Sequence, residues 1–411
     1  MMRARETLLF FILLNLSFSA YSGRMVAVVE KEWLIESNGT LRNVLLNSSF
    51  LAESPYQRIT SMNASDGELL RYGDEVRLVY RADSLNPPKR ITATATVDIS
   101  YLPALSSNPP PTILSYPSTE FTNYTSGMAQ FASSQTSSSS GQLQAAAILT
   151  DWVSKNVQYS MAFWGRDAPA QDVYSGREAV CVGYTHLLLA LARSIGLESR
   201  YVSGYVFSDD WQEHAWAEFN IGGQWVSADP TFREFAFLDA RHIAARYSED
   251  QSGAVDRLSA RGGEFSFSSL THIRITESAP FPEQASAYAA FDGTEFTVVV
   301  ANTKGTYFTP TLSVTFPPYI HREERGILFL APMERKTLSY ALDTSSLAGG
   351  GYYSVPYIIS MQGTEISDSI ELSRNGAQPP QPQQQSAGCP VALALISALF
   401  LTIARYRTST G

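Results

Sequence analysis

Two cysteines in 411 residues leave this chain without a covalent framework. Cys181 and Cys389 cannot build a disulfide scaffold or a cysteine-based zinc site. The fold must therefore rest on apolar cores, and 44% hydrophobic residues supply material for two or three domains. The five histidines (His186, His214, His242, His272, His321) contain no H-x-x-x-H pair. That spacing points away from a metal centre, and no phosphate loop or dinucleotide fingerprint implies a cofactor. A formal charge of −9 argues against a nucleic-acid partner, which needs a basic face to neutralise phosphates.

Both ends read as membrane-directed. Arg3 and Arg5 precede an apolar run from Leu8 to Phe18, and small residues follow at Ser19, Ala20, Ser22 and Gly23, so residues 1–23 read as a signal peptide. An uncharged apolar run, 390–404, has the minimum length of a bilayer helix. Arg405 and Arg407 after it orient residues 405–411 as a cytoplasmic tail. The Gln- and Pro-rich segment 376–389 has the composition of a stalk. The expectation is a single-pass cell-surface protein with its ectodomain outside, held in the membrane by its C-terminal helix. N-x-S/T sequons at Asn38, Asn47, Asn63 and Asn123 all fall in that exterior.

Between these ends the pattern is α+β in three parts. Residues 24–106 alternate as strands, clearest at Ile91, Ala93, Ala95, Val97 and Ile99, and read as an N-terminal β-sandwich. Residues 112–275 form the central domain. There Ser133 to Gly141 reads as a loop, Gln142 to Asn156 as a helix, and Ala179 to Ser194 as a buried helix stopped at Gly196. Strands follow over Ser199–Val206, His214–Ile221 and Gln224–Ala228. Residues 276–375 return to regularly spaced strands and read as an immunoglobulin-like sandwich.

Cys181 is the one thiol in the mature exterior. The segment from His214 to Pro230 alternates on both sides of Gly222-Gly223, a two-residue hairpin signal. With those glycines as the loop, paired residues sum to 445. Trp216 then faces Asp229, and Asp229 becomes the diagonal same-face neighbour of His214, within reach of a hydrogen bond. A carboxylate on one imidazole nitrogen leaves the other free to take a proton from a nucleophile. Near a helix start the dipole favours a thiolate. Ser175 and Glu178 match a capping box, which would move Cys181 into the second turn.

The stretch Ser175 to Phe232 resembles the core of the transglutaminase-like superfamily, a relative of papain-type cysteine peptidases. The resemblance rests on Cys181 with Gly183 and Tyr184, on Arg200-Tyr201-Val202-Ser203-Gly204-Tyr205, on His214-Ala215-Trp216-Ala217-Glu218, and on Trp225-Val226-Ser227-Ala228-Asp229-Pro230-Thr231. It implies Cys181 as nucleophile, His214 as general base then acid, and Asp229 as orienter, with no metal or organic cofactor. Trp164 is the nearest candidate for a second oxyanion donor beside the Cys181 N–H. Ala179 and Val180 depart from the glycine often found before the cysteine, and Val180 narrows the approach. The implied activity is a thioester-forming acyl hydrolase or acyltransferase acting on protein or peptide amides, with hydrolysis slightly favoured over amine transfer. The other reading is a non-catalytic adhesion protein that keeps the core as a scaffold.

Overall fold

The computed structural model describes residues 22–110, 116, 118–254, 256–293, 295–317, 320, 323–345, 347 and 352–373. The stalk, membrane span and tail expected at 376–411, Cys389 and His321 lie outside these residues, as does the expected leader up to residue 21. Among the described residues no helix is long and apolar enough to cross a membrane. Ser22 opens the first strand, is buried, and its carbonyl accepts the Ala240 N–H at 2.7 Å.

The N-terminal part is two four-stranded antiparallel sheets around one core. The first runs in the order Phe265–Pro280, Ser22–Ser37, Lys89–Ile99, Gln57–Ala64. The second runs Arg257–Gly262, Leu41–Ala52, Glu75–Leu85, Glu68–Tyr72. Strict alternation builds the core: Ile91, Ala93, Ala95, Val97 and Ile99 are buried while the residues between them are not. This corrects the expected domain boundary at 275. Residues 257–280 lie in the sequence of the central part but supply one edge strand to each of these sheets.

The central part is a five-stranded antiparallel sheet in the order Glu234–Phe235, Gln224–Asp229, Trp211–Ile221, Ser199–Phe207, His242–Ser248. Four helices go with it: α1 (Ser126–Gln135), α2 (Gln142–Asn156), α3 (Ala170–Gly176) and α4 (Cys181–Ser194). α1 replaces part of the expected serine-rich loop. Its start is fixed by Thr125, whose hydroxyl accepts the Met128 N–H at 3.2 Å. α4 is apolar all round because it is covered all round: every residue but Val182 and Ser194 is buried.

Alternation along Trp211–Ile221 divides the two sides of this sheet. Ala215, Ala217, Phe219 and Ile221 join the core that holds α4, whereas Trp216 joins the core of the N-terminal sheets. Gln57 clamps the two parts together: its side chain donates to Ala244 O at 2.7 Å and accepts from Ala244 N at 2.8 Å.

Beyond Phe281 a three-stranded sheet (Ala285–Phe291, Glu295–Asn302, Arg335–Ala341) and a four-stranded sheet (Glu324–Ile327, Thr311–Thr315, Tyr352–Met361, Thr364–Ser373) follow. Here the strand expected at Gly326 to Leu330 starts and ends earlier, and Ala285–Phe291 is an additional strand. These sheets touch the central part just after Asp229. Thr311 Oγ1 donates to Arg233 O at 2.6 Å, Arg325 Nη2 to Phe232 O at 3.0 Å, and Thr309 Oγ1 to Phe235 O at 3.2 Å.

Candidate active site

Cys181 is the first residue of α4. The N-cap is Val180, extended at φ −96° and ψ −179°, with no side-chain cap. The capping box expected from Ser175 and Glu178 does not form. Ser175 belongs to α3, where its hydroxyl donates to Gln171 O at 2.9 Å, and Arg177 ends that helix in the left-handed region at φ 59°. Cys181 therefore sits in the first turn, where the dipole acts most strongly. Among the described residues, neither the Cys181 nor the Val182 N–H has a protein acceptor. Gly183 allows the close approach behind the thiol: a Cβ there would stand 2.6 Å from Ala179 Cβ and 3.0 Å from Val173 Cγ2.

His214 and Asp229 come from the two arms of the hairpin. The ladder pairs Ala217 with Ala228 and Ile221 with Gln224, a register summing to 445 across Gly222-Gly223. His214 Nε2 lies 2.6 Å from Asp229 Oδ2. That leaves Nδ1 for the thiol, and Cys181 and His214 line the same cavity. Pro230 has no N–H, so the Asp229 Oδ1 takes the next two, Thr231 N at 2.7 Å and Phe232 N at 3.2 Å. The carboxylate is fully enclosed, and His214 is only 7% exposed.

A third group completes this cluster, and the sequence did not point to it. His242 Nε2 reaches the same Asp229 Oδ2 at 3.0 Å. It arrives through Gly204, where a Cβ would stand 2.0 Å from Ile243 O and 3.0 Å from the Trp216 ring. Only a residue without a side chain lets the His242–Ser248 strand come this close. The glycine in Arg200 to Tyr205 is the signal that could have marked the approach. Trp216 is fully buried and stacks on His214 at 6.1 Å and 25°, closing one side of the ring.

Electrostatics follow from this enclosure. Burial alone would lower the proton affinity of His214. The Asp229 charge and hydrogen bond, with Cys181 adding, override it and raise the group to about 10. Burial likewise disfavours the Asp229 carboxylate, but the two histidines hold it well below the usual carboxylate range. His214, Asp229 and His242 offer three ligand atoms within 4.8 Å of one another. Both imidazole nitrogens stand on one oxygen at hydrogen-bond distances. A metal with bonds of about 2.0–2.2 Å would spread such atoms further apart, so the spacing fits shared protons.

The cavity over the thiol has a volume of about 520 Å³. Val180, Cys181, His214 and Gly204 line it from the central part, and Lys31, Ser49 and Ser269 from the N-terminal sheets. The cleft is thus shared between two parts of the chain. Lys31 is held there by Ser49 O at 2.9 Å and Asp256 Oδ2 at 3.2 Å. Trp164 stands on the rim, 54% exposed, with its N–H bonded to Met161 O at 3.1 Å. Its backbone donor is therefore taken, which leaves only the indole N–H for the expected oxyanion role. Glu218 and Arg200 form an ion pair at 2.7 Å on the same face of the strand as His214 but four residues further along it, and neither lines the cavity over the thiol. His186 lies inside α4 with Nδ1 donating to Ala168 O at 2.9 Å, a satisfied core position.

A thiol at a helix start, an imidazole beside it and a carboxylate behind the imidazole make a proton-relay arrangement suited to nucleophilic acyl chemistry. Residues 129–230 match the family model of the transglutaminase-like superfamily, and this segment is a transglutaminase-like domain. An uncharacterized protein of Mycobacterium leprae (strain TN) is 30% identical over 89 residues, covering 20% of this chain and 32% of that protein. The chain thus matches about a third of the length of that curated relative. Among solved structures, a Cytophaga hutchinsonii protein assigned as a cysteine protease is 20% identical with a TM-score of 0.45, covering 62% of this chain and 91% of the other. The periplasmic domain of TgpA from Pseudomonas aeruginosa is 12% identical with a TM-score of 0.30, covering 53% and 90%.

Proposed function

We propose that the chain is a cysteine acyl-transfer enzyme acting on protein or peptide amides, with Cys181 as nucleophile, His214 as general base and acid, and Asp229 as orienter. The observation that carries this is the placement of Cys181 at the start of α4, in the same cavity as a His214 whose Nε2 is fixed by Asp229. The thiolate attacks the amide carbonyl, and the developing oxyanion meets the unclaimed Cys181 N–H, with the Trp164 indole at the rim as second candidate donor. His214 passes its proton to the leaving amine, and a thioester remains. Water, deprotonated by His214, then cleaves it. Trp164, which lines the cavity over the thiol, is 54% exposed, and this open rim supports hydrolysis over amine transfer. The leader-like and span-like ends of the sequence support placing this activity on the cell surface.

The test uses the full chain with casein, scoring release of new N-termini and incorporation of a fluorescent amine side by side. New N-termini dependent on Cys181 are expected, with lesser amine incorporation. Equal signals from the protein and its Cys181→Ala variant in both assays would remove the proposal for protein substrates.

A further inference from the structure

Asp229 serves two imidazoles, and only one of them adjoins the thiol. His242 is 1% exposed, and both of its ring nitrogens are in use. Nδ1 lies 2.8 Å from the backbone carbonyl of Asp239, and Nε2 lies 3.0 Å from Asp229 Oδ2. A carbonyl oxygen can only accept, so Nδ1 carries a proton. Asp229 has no proton to give: Oδ2 already takes His214, and Oδ1 takes two backbone N–H groups. Nε2 must donate as well. With both nitrogens donating, the ring is an imidazolium ion.

We propose that His242 is a standing imidazolium that fixes Asp229 and holds the proton affinity of His214 below what an unshared carboxylate would impose. This rests on the reading of Cys181, His214 and Asp229 as the reacting centre. His242 is a positioning residue, since it acts on the thiol only through Asp229 and His214. Its charge compensates part of the carboxylate that faces His214. The rings of the two histidines are 5.7 Å apart. A unit charge at that distance, with an effective dielectric constant of about 20, moves a neighbour's titration by roughly two pH units.

The surroundings keep the ion in place. Asp229 and His214 face it from the hairpin, and Glu234 from the short strand beside Asp229. On its own strand's approach, the Asp239 carboxylate is taken by Arg241. The Tyr101 ring stands edge-on at 6.3 Å from the loop after the N-terminal sheets. Burial opposes the charge on His242, and the Asp229 hydrogen bond and charge, with Glu234 adding, raise its proton affinity above the ordinary value. The purpose of a shared carboxylate is chemical. A His214 bound to an unshared Asp229 would hold its proton too tightly to release it to a leaving amine.

Two measurements on the full chain test this. In nitrogen-15 spectra of the histidine side chains, His242 should show both ring nitrogens protonated from pH 5 to 8. A neutral His242 anywhere in that range would overturn the proposal, and this needs no variant to fold. The second measurement is the pH dependence of Cys181 alkylation by iodoacetamide. His242→Gln keeps an N–H for Asp229 but removes the charge. Its alkylation midpoint should move up by as much as about one pH unit, because the thiolate forms beside an already protonated His214 and loses a nearby positive charge. An unmoved midpoint would reduce His242 to a structural hydrogen bond. Stoichiometric zinc(II) binding abolished by His242→Gln would also overturn the proposal, by making the cluster a metal site. An ordinary thiol profile in the unaltered chain, insensitive to His214→Ala, would instead sink the reading of the reacting centre, while the spectra still decide the charge of His242.

Discussion

Asp229 and His214 meet at 2.6 Å, Oδ2 to Nε2, across a hairpin whose register is set by two glycines. Each glycine takes a positive φ, 61° at Gly222 and 87° at Gly223, as a tight two-residue turn between twisted strands requires. Sliding the register by one residue would turn His214 or Asp229 to the other face. The pair therefore depends on a turn far from the thiol.

The first prediction concerns reactivity. A Cys181 thiolate paired with the His214 imidazolium should be alkylated by iodoacetamide well below pH 8. His214→Ala should slow that reaction at least about tenfold at pH 6, where an unassisted thiol of ordinary pKa is almost wholly protonated. Mass spectrometry of the Cys181 peptide against time measures it. A rate that rises only near an ordinary thiol pKa, in both proteins, would contradict it.

The second concerns stability and pH. His214 is raised from 6.5 to about 10 in the folded chain. Its contribution is therefore full below about pH 6.5 and is lost as pH rises toward 10. Asp229 is lowered, so its contribution is present above about pH 3.8 and lost as pH falls into acid. Asp229→Asn should lower stability by about 3–5 kcal/mol at pH 6, because two buried imidazoles lose their counter-charge. Its denaturation curves should also lose the alkaline slope expected of the unaltered protein between pH 7 and 10. An equal slope in both proteins would assign that slope to other groups.

How much of this was legible in the sequence depended on range. The hairpin was readable because alternation and a two-glycine turn are local, and α2 because its apolar face is periodic. α1 was missed because Ser133, Ser134, Gln135 and Thr136 carry no apolar period, although Thr125 was present as its cap. The pairing of Phe265–Pro280 with Ser22–Ser37 joins ends more than two hundred residues apart, and no local pattern encodes it. His242 was invisible as a partner of Asp229 although it lies only 13 residues away. Its approach is set by a third strand and by the bare Cα of Gly204. The capping box at Ser175 and Glu178 failed because the chain completes a separate short helix before α4 begins.

Gly204 gives the third prediction. A methyl group there would sit 2.0 Å from Ile243 O, a backbone atom that cannot swing aside. Gly204→Ala should cost about 1–3 kcal/mol through overpacking. It should also push the His242–Ser248 strand away from Asp229, so that the alkylation midpoint of the folded fraction shifts in the same direction as in His242→Gln. Urea denaturation and the alkylation profile measure the two effects. A stability loss with no shift in midpoint would mean that the strand relaxes elsewhere and keeps His242 in place.

Glu218 gives the last, and it separates structure from chemistry within one strand. Glu218 follows His214 at the same-face spacing of four, but neither it nor its partners Arg200 and Ser227 line the cavity over the thiol. Its Oε2 accepts Arg200 Nη2 at 2.7 Å, and its Oε1 accepts the Ser227 hydroxyl at 3.0 Å. Arg200 lies between the Trp225 ring at 4.1 Å and the Tyr247 ring at 3.5 Å, where cation and aromatic faces support each other. Burial opposes the Glu218 charge more than Arg200 restores it, and its carboxyl is raised above the ordinary value. Removing the acid leaves the guanidinium with too few acceptors in a dry site. Glu218→Ala should therefore destabilise the fold by about 3–5 kcal/mol. Glu218→Gln, which keeps one acceptor for Arg200 and can donate its amide N–H to the Ser227 hydroxyl, should lose less. In both variants the folded protein should alkylate Cys181 with the unaltered rate and midpoint, because neither Cys181 nor His214 bonds to Glu218. A changed midpoint with intact folding would move Glu218 from the framework into the reacting centre.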